Sequence, residues 1–424
     1  MSFGKMNVDY QARVDFDRLR KQRLERAHKM LKKYGLGSAM VYNWDSRRYL
    51  TSIFEHHSYA RHMPLVSLVG YALLIRDQGF PYVTADPKLD MKQLEETCPW
   101  LKGKILTPDQ LPQPDVIRMA PRELQEERWL RTAEKVKQIL KENGVADLPL
   151  GVDYTSPYMI KAFEKVGIQV VDGNSWIQEA RMIKTDDEVE LMKLSATCNE
   201  AAYAALVQKL RPGMRESDVA AIMAKAVYEA GAEYYEGFVI NSGPRTAPRH
   251  FGWSDRTIRP GEFVSVEICH VTFCGYKTCY DRTFFVGAKP SELDKEIYQT
   301  VVEMHRKIQK ILRPGITTHD VSKERPFPTF PPSGIKTAED VRHYRSSWSN
   351  HFGGIGIGWN EPPYLSAEEP PVTLEKNMTI AYHALFWIEG YQGVAIENTY
   401  RITDGGCECL TKWPYEEIIV CGYG

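Results

Sequence analysis

The sequence predicts an α/β (α+β) protein of two domains: a small N-terminal α/β domain over residues 1–180 and a C-terminal domain over residues 181–424 with a pseudo-twofold internal repeat. Three observations predict this. Hydrophobic periods alternate between strand and helix through the first segment. The run ARMIKTDDEVELM then opens a long helix and marks the boundary. Beyond it, LRPGMRESDV (Leu210–Val219) recurs as LRPGITTHDV (Leu312–Val321), each time after a long helix.

The elements follow in order. Asp17–Tyr34 carries Leu19, Leu24, Ala27, Met30 and Leu31 at helical spacing and stops at Gly35. SAMVYN, YALLIR and YVTA read as short strands. Arg122–Asn143 is a long amphipathic helix ended by Gly144. LPLGVD, SPYMIKAFEKVG and IQVVDG give strand, helix and strand. Thr185 or Asp186 caps the helix at the boundary. In each LRPG copy, Pro then Gly ends one helix, and a Ser or Thr with an Asp starts the next. YEGFVINSG, FVSVEICHVTF and YKTCYDRTFFV are strands after the first copy; MTIAYHALFWI and VAIENTYRIT follow the second. Sheets from the two halves are expected to face one cleft, a natural place for a site. RPFPTFPPSG, with four prolines, reads as an ordered loop, either a surface connection or a lid.

Composition excludes several function classes. Lys plus Arg is 54 against 55 Asp plus Glu, so no basic excess exists to hold a phosphate backbone, and no nucleic-acid partner is expected. No apolar run approaches the roughly 18–20 residues of a membrane span, and the first thirty residues lack a signal-peptide apolar core. A soluble, cytoplasmic protein without a membrane partner is expected. Eight cysteines without a CxxC pair read as small buried hydrophobes, Cys279 excepted.

Several stretches together resemble the creatinase/aminopeptidase family, the M24 or pita-bread family. They are ARMIKTDDEVELM, FVSVEICHVTFCGYKTCYDRTFFVG, HFGGIGIGWNEPP, NMTIAYHALF, IENTYRITDGGCECLT and, in the first domain, RLERAHKMLKKYGLGSAMVYNWDSRRYLTS. The resemblance implies a pita-bread C-terminal domain, with HFGGIGIGWNEPP as a loop. It also implies two metals held by Asp, Asp, His, Glu and Glu. The matching positions hold Glu267, Cys279, His351, His383 and Glu397. A thiol and an imidazole replace hard carboxylates, so a dimetal peptidase site is not expected. Those five side chains would suit one divalent metal such as zinc. The preferred reading is a metal-free hydrogen-bonded pocket with no cofactor, as the resemblance to creatinase implies.

The non-peptidase branch supplies the functional expectations. His250, in SGPRTAPRH, resembles the creatinase general acid/base, a role that suits an imidazole. Asp281, directly before Arg282 and Thr283, stands where creatinase holds its substrate's guanidinium. SYARHMPL resembles the stretch whose aromatic and Arg, here Tyr59 and Arg61, reach the partner subunit's cleft and bind a carboxylate. A homodimer would then complete each site through the partner's N-terminal domain. SGPRT also resembles the family's dimethylsulfoniopropionate lyase, which is metal-dependent; its metal positions fall on Glu267, Cys269 and Cys279. Ectoine hydrolase is a third relative. The three substrates share a carboxylate and a cationic centre, which aromatic faces such as Tyr276 and Trp359 would bind.

The resulting expectation is a creatinase-like hydrolase of a C–N bond in a small carboxylate carrying a guanidinium or amidinium. Arg61 takes the carboxylate, Asp281 and Glu397 face the cation, His250 carries protons, and His383 and His351 position the attacking water. The alternatives are a metal-dependent lyase, an Xaa-Pro peptidase-like metallohydrolase and a non-catalytic binding protein.

Overall fold

Asp15 begins the first helix because its carboxylate accepts from the backbone N–H groups of Asp17 and Arg18, donors that no carbonyl can reach. The computed structural model describes residues 14–54, 70–85, 91–112, 121–324, 346–366 and 368–423, with backbone alone for 346–352. These residues divide between two compact units, one spanning Asp15–Arg181 and one taking in Met182–Gly424.

The first unit runs α1 (Phe16–Lys33), β1 (Ser38–Val41), α2 (Trp44–Thr51), β2 (Ala72–Ile75), β3 (Tyr82–Thr84), α3 (Met91–Thr97), β4 (Ile105–Leu106), α4 (Arg122–Glu142), β5 (Leu150–Val152), α5 (Pro157–Lys165), β6 (Val170–Asp172) and α6 (Ser175–Met182). Among the described residues its strands form one sheet in the order β4-β3-β2-β1-β5-β6. Strand β1 pairs parallel with β5 and antiparallel with β2. Helix α2 escaped the periodicity reading because it buries Arg47 and Arg48, so its inward face looks polar in sequence.

The second unit begins with α7 (Asp186–Val207). Thr185 caps it in a reciprocal pair: the Glu188 N–H donates to Thr185 Oγ1 (3.1 Å) and the Thr185 N–H to Glu188 Oε2 (2.6 Å). There follow α8 (Glu216–Glu229), β7 (Gly237–Ser242), β8 (Glu262–Cys269), β9 (Val271–Phe273), β10 (Tyr276–Thr278) and β11 (Asp281–Val286). The second half holds α9 (Glu292–Ile311), α10 (Thr318–Lys323), β12 (Ser346–Ile355), β13 (Trp359–Glu361), β14 (Thr379–Ile388), β15 (Gly393–Ile402), β16 (Cys407–Cys409) and β17 (Val420–Cys421).

The repeat in the sequence is a repeat in the backbone. Gly213 and Gly315 take φ +89° and +85°, the left-handed region open to glycine. Each donates its N–H over 2.9 Å, to the carbonyls of Ile258 and Leu374 respectively. Arg215 then bridges Thr257 as Thr317 bridges Thr373. The caps differ. Thr317 caps the second copy, while in the first Asp218 accepts from the Arg215 N–H, so Ser217 is not the cap that the pattern suggested.

Sheet order β13-β12-β14-β15-β11-β8-β7 places β11 and β15 side by side at the centre. The halves therefore share one continuous sheet in place of two sheets facing a cleft. Helix α9 packs Ile297, Val301, Met304 and Ile308 in one core with Tyr382, Ile396 and Tyr400 of β14 and β15. HFGGIGIGWNEPP is correspondingly no simple loop, since its first five residues end β12. The Pro-rich RPFPTFPPSG stretch lies outside the described residues. Among those described, no helix is long and apolar enough to cross a membrane.

Lys184 and Glu361 form an ion pair at 2.9 Å with each side chain 1% exposed, tying the entry of α7 to β13. Removing one member of a buried pair strands the other charge, at roughly 3–5 kcal/mol. Lys184→Met is therefore expected to lower the urea midpoint by that amount of stability with an unchanged slope, measured by equilibrium unfolding.

Candidate active site

Strand register draws one polar row across the shared sheet. Glu267 of β8 lies opposite Asp281 of β11, which lies opposite Glu397 of β15. Glu397 lies opposite His383 of β14, and His383 is in register with the backbone of His351 on β12. Directly opposed residues project to the same face, so residues 130 positions apart in the chain become neighbours.

A loop brings a cation to this row. The Arg249 Nη2 donates to Glu267 Oε2 at 2.6 Å and lies 2.8 Å from Asp281 Oδ2. Its Nη1 lies 2.8 Å from His383 Nε2. Arginine only donates, so His383 presents the Nε2 lone pair and that nitrogen is committed. The loop is clamped at both ends by Glu216, fully buried at the start of α8. One carboxylate oxygen accepts from the N–H and hydroxyl of Ser242 (2.9 Å each), the other from the N–H and hydroxyl of Ser254 (2.9 and 2.6 Å). Arg249 escaped the sequence reading; its only signal was its place beside His250.

Burial divides the carboxyls. Asp281 is pushed up to about 6 by burial, which the Arg249 and Arg282 guanidiniums only partly offset. Burial, then repulsion from Glu267 and Asp281, holds Glu397 well above the usual carboxylate range. Among the described residues its buried Oε2 has no hydrogen-bond partner. Burial also pushes on Glu267, but attraction to Arg249 prevails and holds it below its ordinary value. The division follows the contacts, since Arg249 touches Glu267 and not Glu397. Burial, then nearby carboxylates, drive the Cys269 and Cys279 thiols well up, so neither is a thiolate nucleophile.

A cavity of about 600 Å³ opens over the row, with Arg249, His250, Glu267, His383, Glu397 and Trp359 in its wall. His250 Nδ1 lies 2.9 Å from the carbonyls of both Arg245 and Pro248. Carbonyls only accept, so Nδ1 carries a proton and Nε2 is left to exchange protons. Cys279 and His270 also line the cavity; His270 had no motif to mark it. Two expectations are corrected. Tyr276 is buried away from the cavity, with its hydroxyl on Glu188 Oε1 at 2.6 Å. Asp281 is fully buried and faces Arg249 rather than open space. The Arg282 guanidinium is turned to the carbonyls of Asp281, Glu397 and Trp413 and to Asn398, not to the Asp281 carboxylate. Tyr59, Arg61 and the His351 side chain lie outside the described residues.

Donor atoms of Glu267, Asp281 and His383 fall within 4.8 Å of one another, a group with the chemistry to hold one divalent ion. Asp281 stands there in place of the expected Cys279. Arg249 already touches all three donors. An ion at ordinary ligand distances of about 2 Å would meet the guanidinium, so the residues fit a metal only if Arg249 withdraws.

Residues 190–404, just over half of the chain, match the sequence profile of metallopeptidase family M24. The chain belongs to that family. An uncharacterized hydrolase/peptidase of Sinorhizobium fredii is 31% identical over 59% of this chain and 62% of its own length. The dimethylsulfoniopropionate lyase DddP of Roseobacter denitrificans is 24% identical over 68% of the chain and 65% of its own. The chain thus spans under two thirds of either relative. In fold, it superposes on a Xaa-Pro dipeptidase from Bacillus anthracis with a TM-score of 0.71, at 21% identity, over 94% of this chain and 99% of that one. This shows the M24 pita-bread fold.

The carboxyl cluster of this M24 chain gives a pH signature. Asp281 and Glu397 keep a proton in the folded chain at pH values where the unfolded chain has lost it. Their contribution to stability therefore falls as pH rises from about 4 through 6 and beyond. Glu397→Gln removes the larger of these penalties. It is expected to be more stable than wild type at pH 8, with the advantage shrinking towards pH 4, in urea unfolding at both values.

Proposed function

We propose that this M24 enzyme is a creatinase-like hydrolase of small molecules that works without the family's metal pair. Its substrate is a compact carboxylate carrying a guanidinium or amidinium, and a C–N bond is cleaved. The observation that carries the reading is Arg249, whose guanidinium contacts Glu267, Asp281 and His383 together. A permanent organic cation supplies the charge balance that metals would bring.

The roles follow from which groups remain available. Glu397 lines the cavity, its buried Oε2 has no hydrogen-bond partner among the described residues, and it is the carboxyl left to face a substrate cation. A cation beside it would favour its ionised form. Asp281, engaged with Arg249, is not a second partner for that cation, and His383 orients Arg249 rather than water. His250, with Nδ1 fixed, passes a proton to the leaving nitrogen as water adds to the amidine or guanidine carbon. Trp359, 57% exposed at the wall, offers an aromatic face to the cation. A homodimer in which Tyr59 and Arg61 of one copy anchor the substrate carboxylate in the other belongs to this reading. Eight free thiols support a reducing compartment, the cytoplasm.

A metal-dependent reading, as lyase or Xaa-Pro peptidase-like hydrolase, draws support from the Glu267–Asp281–His383 group. It requires Arg249 to leave that group, and elemental mass spectrometry separates the two readings. The protein is expected to hold no stoichiometric divalent metal before or after chelator. Metal near one per chain, lost in Glu267→Gln, would favour the metal-dependent reading instead.

Turnover gives the second check. Guanidino and amidino acids are to be screened for release of urea, ammonia or amine, with turnover expected to be indifferent to chelator. His250→Ala is expected to lower kcat on the compound found by roughly 10²–10⁴-fold, the usual share of a positioned acid or base.

A further inference from the structure

Hydrolysis needs two proton movements, and His250 accounts for one. Water must lose a proton as its oxygen attacks, and the groups of the polar row are badly placed to take it. His383 Nε2 is committed to Arg249, and Glu267 and Asp281 are paired with the same guanidinium. Glu397 is the carboxyl left to face the substrate cation, which weakens it as a base, and burial holds both cysteine thiols well above their ordinary range.

His270 meets the requirement. It follows β8 and takes φ +53°, a left-handed conformation uncommon for a side chain of this size. That backbone turn sets its imidazole in the wall of the cavity that also holds His250 and Glu397. Behind the ring, Nδ1 lies 2.9 Å from Glu236 Oε2. A carboxylate accepts, so Nδ1 carries the proton and Nε2 presents its lone pair; among the described residues Nε2 has no hydrogen-bond partner. Trp359 lies against the ring at 5.0 Å between centroids with the planes 34° apart.

The carboxylate is itself held in place. The Glu236 N–H donates to the Cys269 carbonyl at 2.8 Å, one residue before His270. Lys277 Nζ stands 3.6 Å from Glu236 Oε1 and donates to the Ile357 carbonyl at 2.6 Å, in the turn that leads to Trp359. One buried ammonium thus fixes both the carboxylate and the segment carrying the stacking indole. A carboxylate on Nδ1 stabilises the imidazolium that forms when Nε2 takes a proton, the arrangement that serves acyl-transfer triads.

The geometry points to His270, oriented by Glu236, as a second proton-transferring residue of this site: the base for the attacking water, with His250 as the acid for the leaving nitrogen. This rests on the hydrolase reading above. As the water oxygen bonds to the substrate carbon, its proton passes to His270 Nε2. The C–N electron pair then leaves with nitrogen, which takes a proton from the His250 imidazolium. Exchange with solvent returns one proton to His250 and removes one from His270, so the sum is addition of water across the C–N bond.

Diethyl pyrocarbonate, which acylates accessible unprotonated imidazole nitrogens, tests this on the full-length protein with peptide mass mapping. His250 and His270 are expected to react, while the buried His305 stays unmodified as a check on the fold. Glu236→Gln is expected to slow acylation of His270 and leave the rate at His250 unchanged. On whichever guanidino or amidino acid is turned over, His270→Gln is expected to lower kcat about 100-fold or more with little change in KM. An unreactive His270 beside a reactive His250, or near wild-type kcat in His270→Gln, would overturn the assignment. Reactive, Glu236-dependent His270 without turnover of any such acid would support the dyad and overturn the hydrolase reading.

Discussion

Three acceptors from three strands meet one guanidinium at the centre of this fold. Arg249 is 13% exposed, and the carboxylates of Glu267 and Asp281 and the imidazole of His383 all lie within 2.6–2.8 Å of it. Charge-assisted bonds of this kind are about twice as strong as neutral ones, and the planar fork gives them direction. Without the cation, two buried carboxyls would lose their counter-charge at a cost of several kcal/mol. The clamp of Glu216 on Ser242 and Ser254 follows from that need, since a loop end carrying the guanidinium that meets the side chains of the row must be held. The same clamp fixes His250, so that imidazole and the charge balance share one support.

The pseudo-twofold sheet explains why the acceptors meet at all. Strands β11 and β15 are equivalent elements of the two halves, and their pairing sets Asp281 against Glu397. One step outward on either side stand Glu267 and His383. The row thus crosses the symmetry centre with unlike residues at like positions: a carboxyl in the first half, an imidazole in the second. Arg249 contacts both, and so reads the difference between two halves that share a backbone plan.

Much of the fold was legible because its signals are local. LRPG recurs with its glycine at positive φ both times, and Thr185 with Glu188 spells a capping box. Family resemblance marked Glu267, His383 and Glu397, all of which line the cavity. Arg249 and His270 were not legible, because each is placed by partners distant along the chain: His383 for one, Glu236 and Trp359 for the other. Tyr276 misled because an aromatic near a motif has no sequence mark to say that its hydroxyl is bonded inside the core. The Gly353–Gly354 pair hid the end of β12 in the same way, since glycine weakens the alternation that signals a strand.

The exchange of Cys279 for Asp281 in the carboxyl group shows what kind of site this is. The two positions are two residues apart, and Cys279 precedes β11, with its N–H donating to Thr399 Oγ1 at 3.2 Å. A carboxyl at 281 therefore enters the cross-strand row, opposite Glu267 and Glu397, whereas one at 279 would stand a step beyond it. Three carboxyls then compete for the Arg249 guanidinium, with Arg282 adding attraction at Asp281. Arg249 contacts Glu267 and Asp281, which leaves Glu397, pushed well above the usual carboxylate range by burial and then by repulsion from those two carboxyls, without direct contact with that guanidinium. A pair of divalent ions would reverse that balance and ionise every carboxyl. The Arg249 guanidinium leaves one carboxyl of the cavity wall with a raised proton affinity, which falls when a cation takes the place beside it.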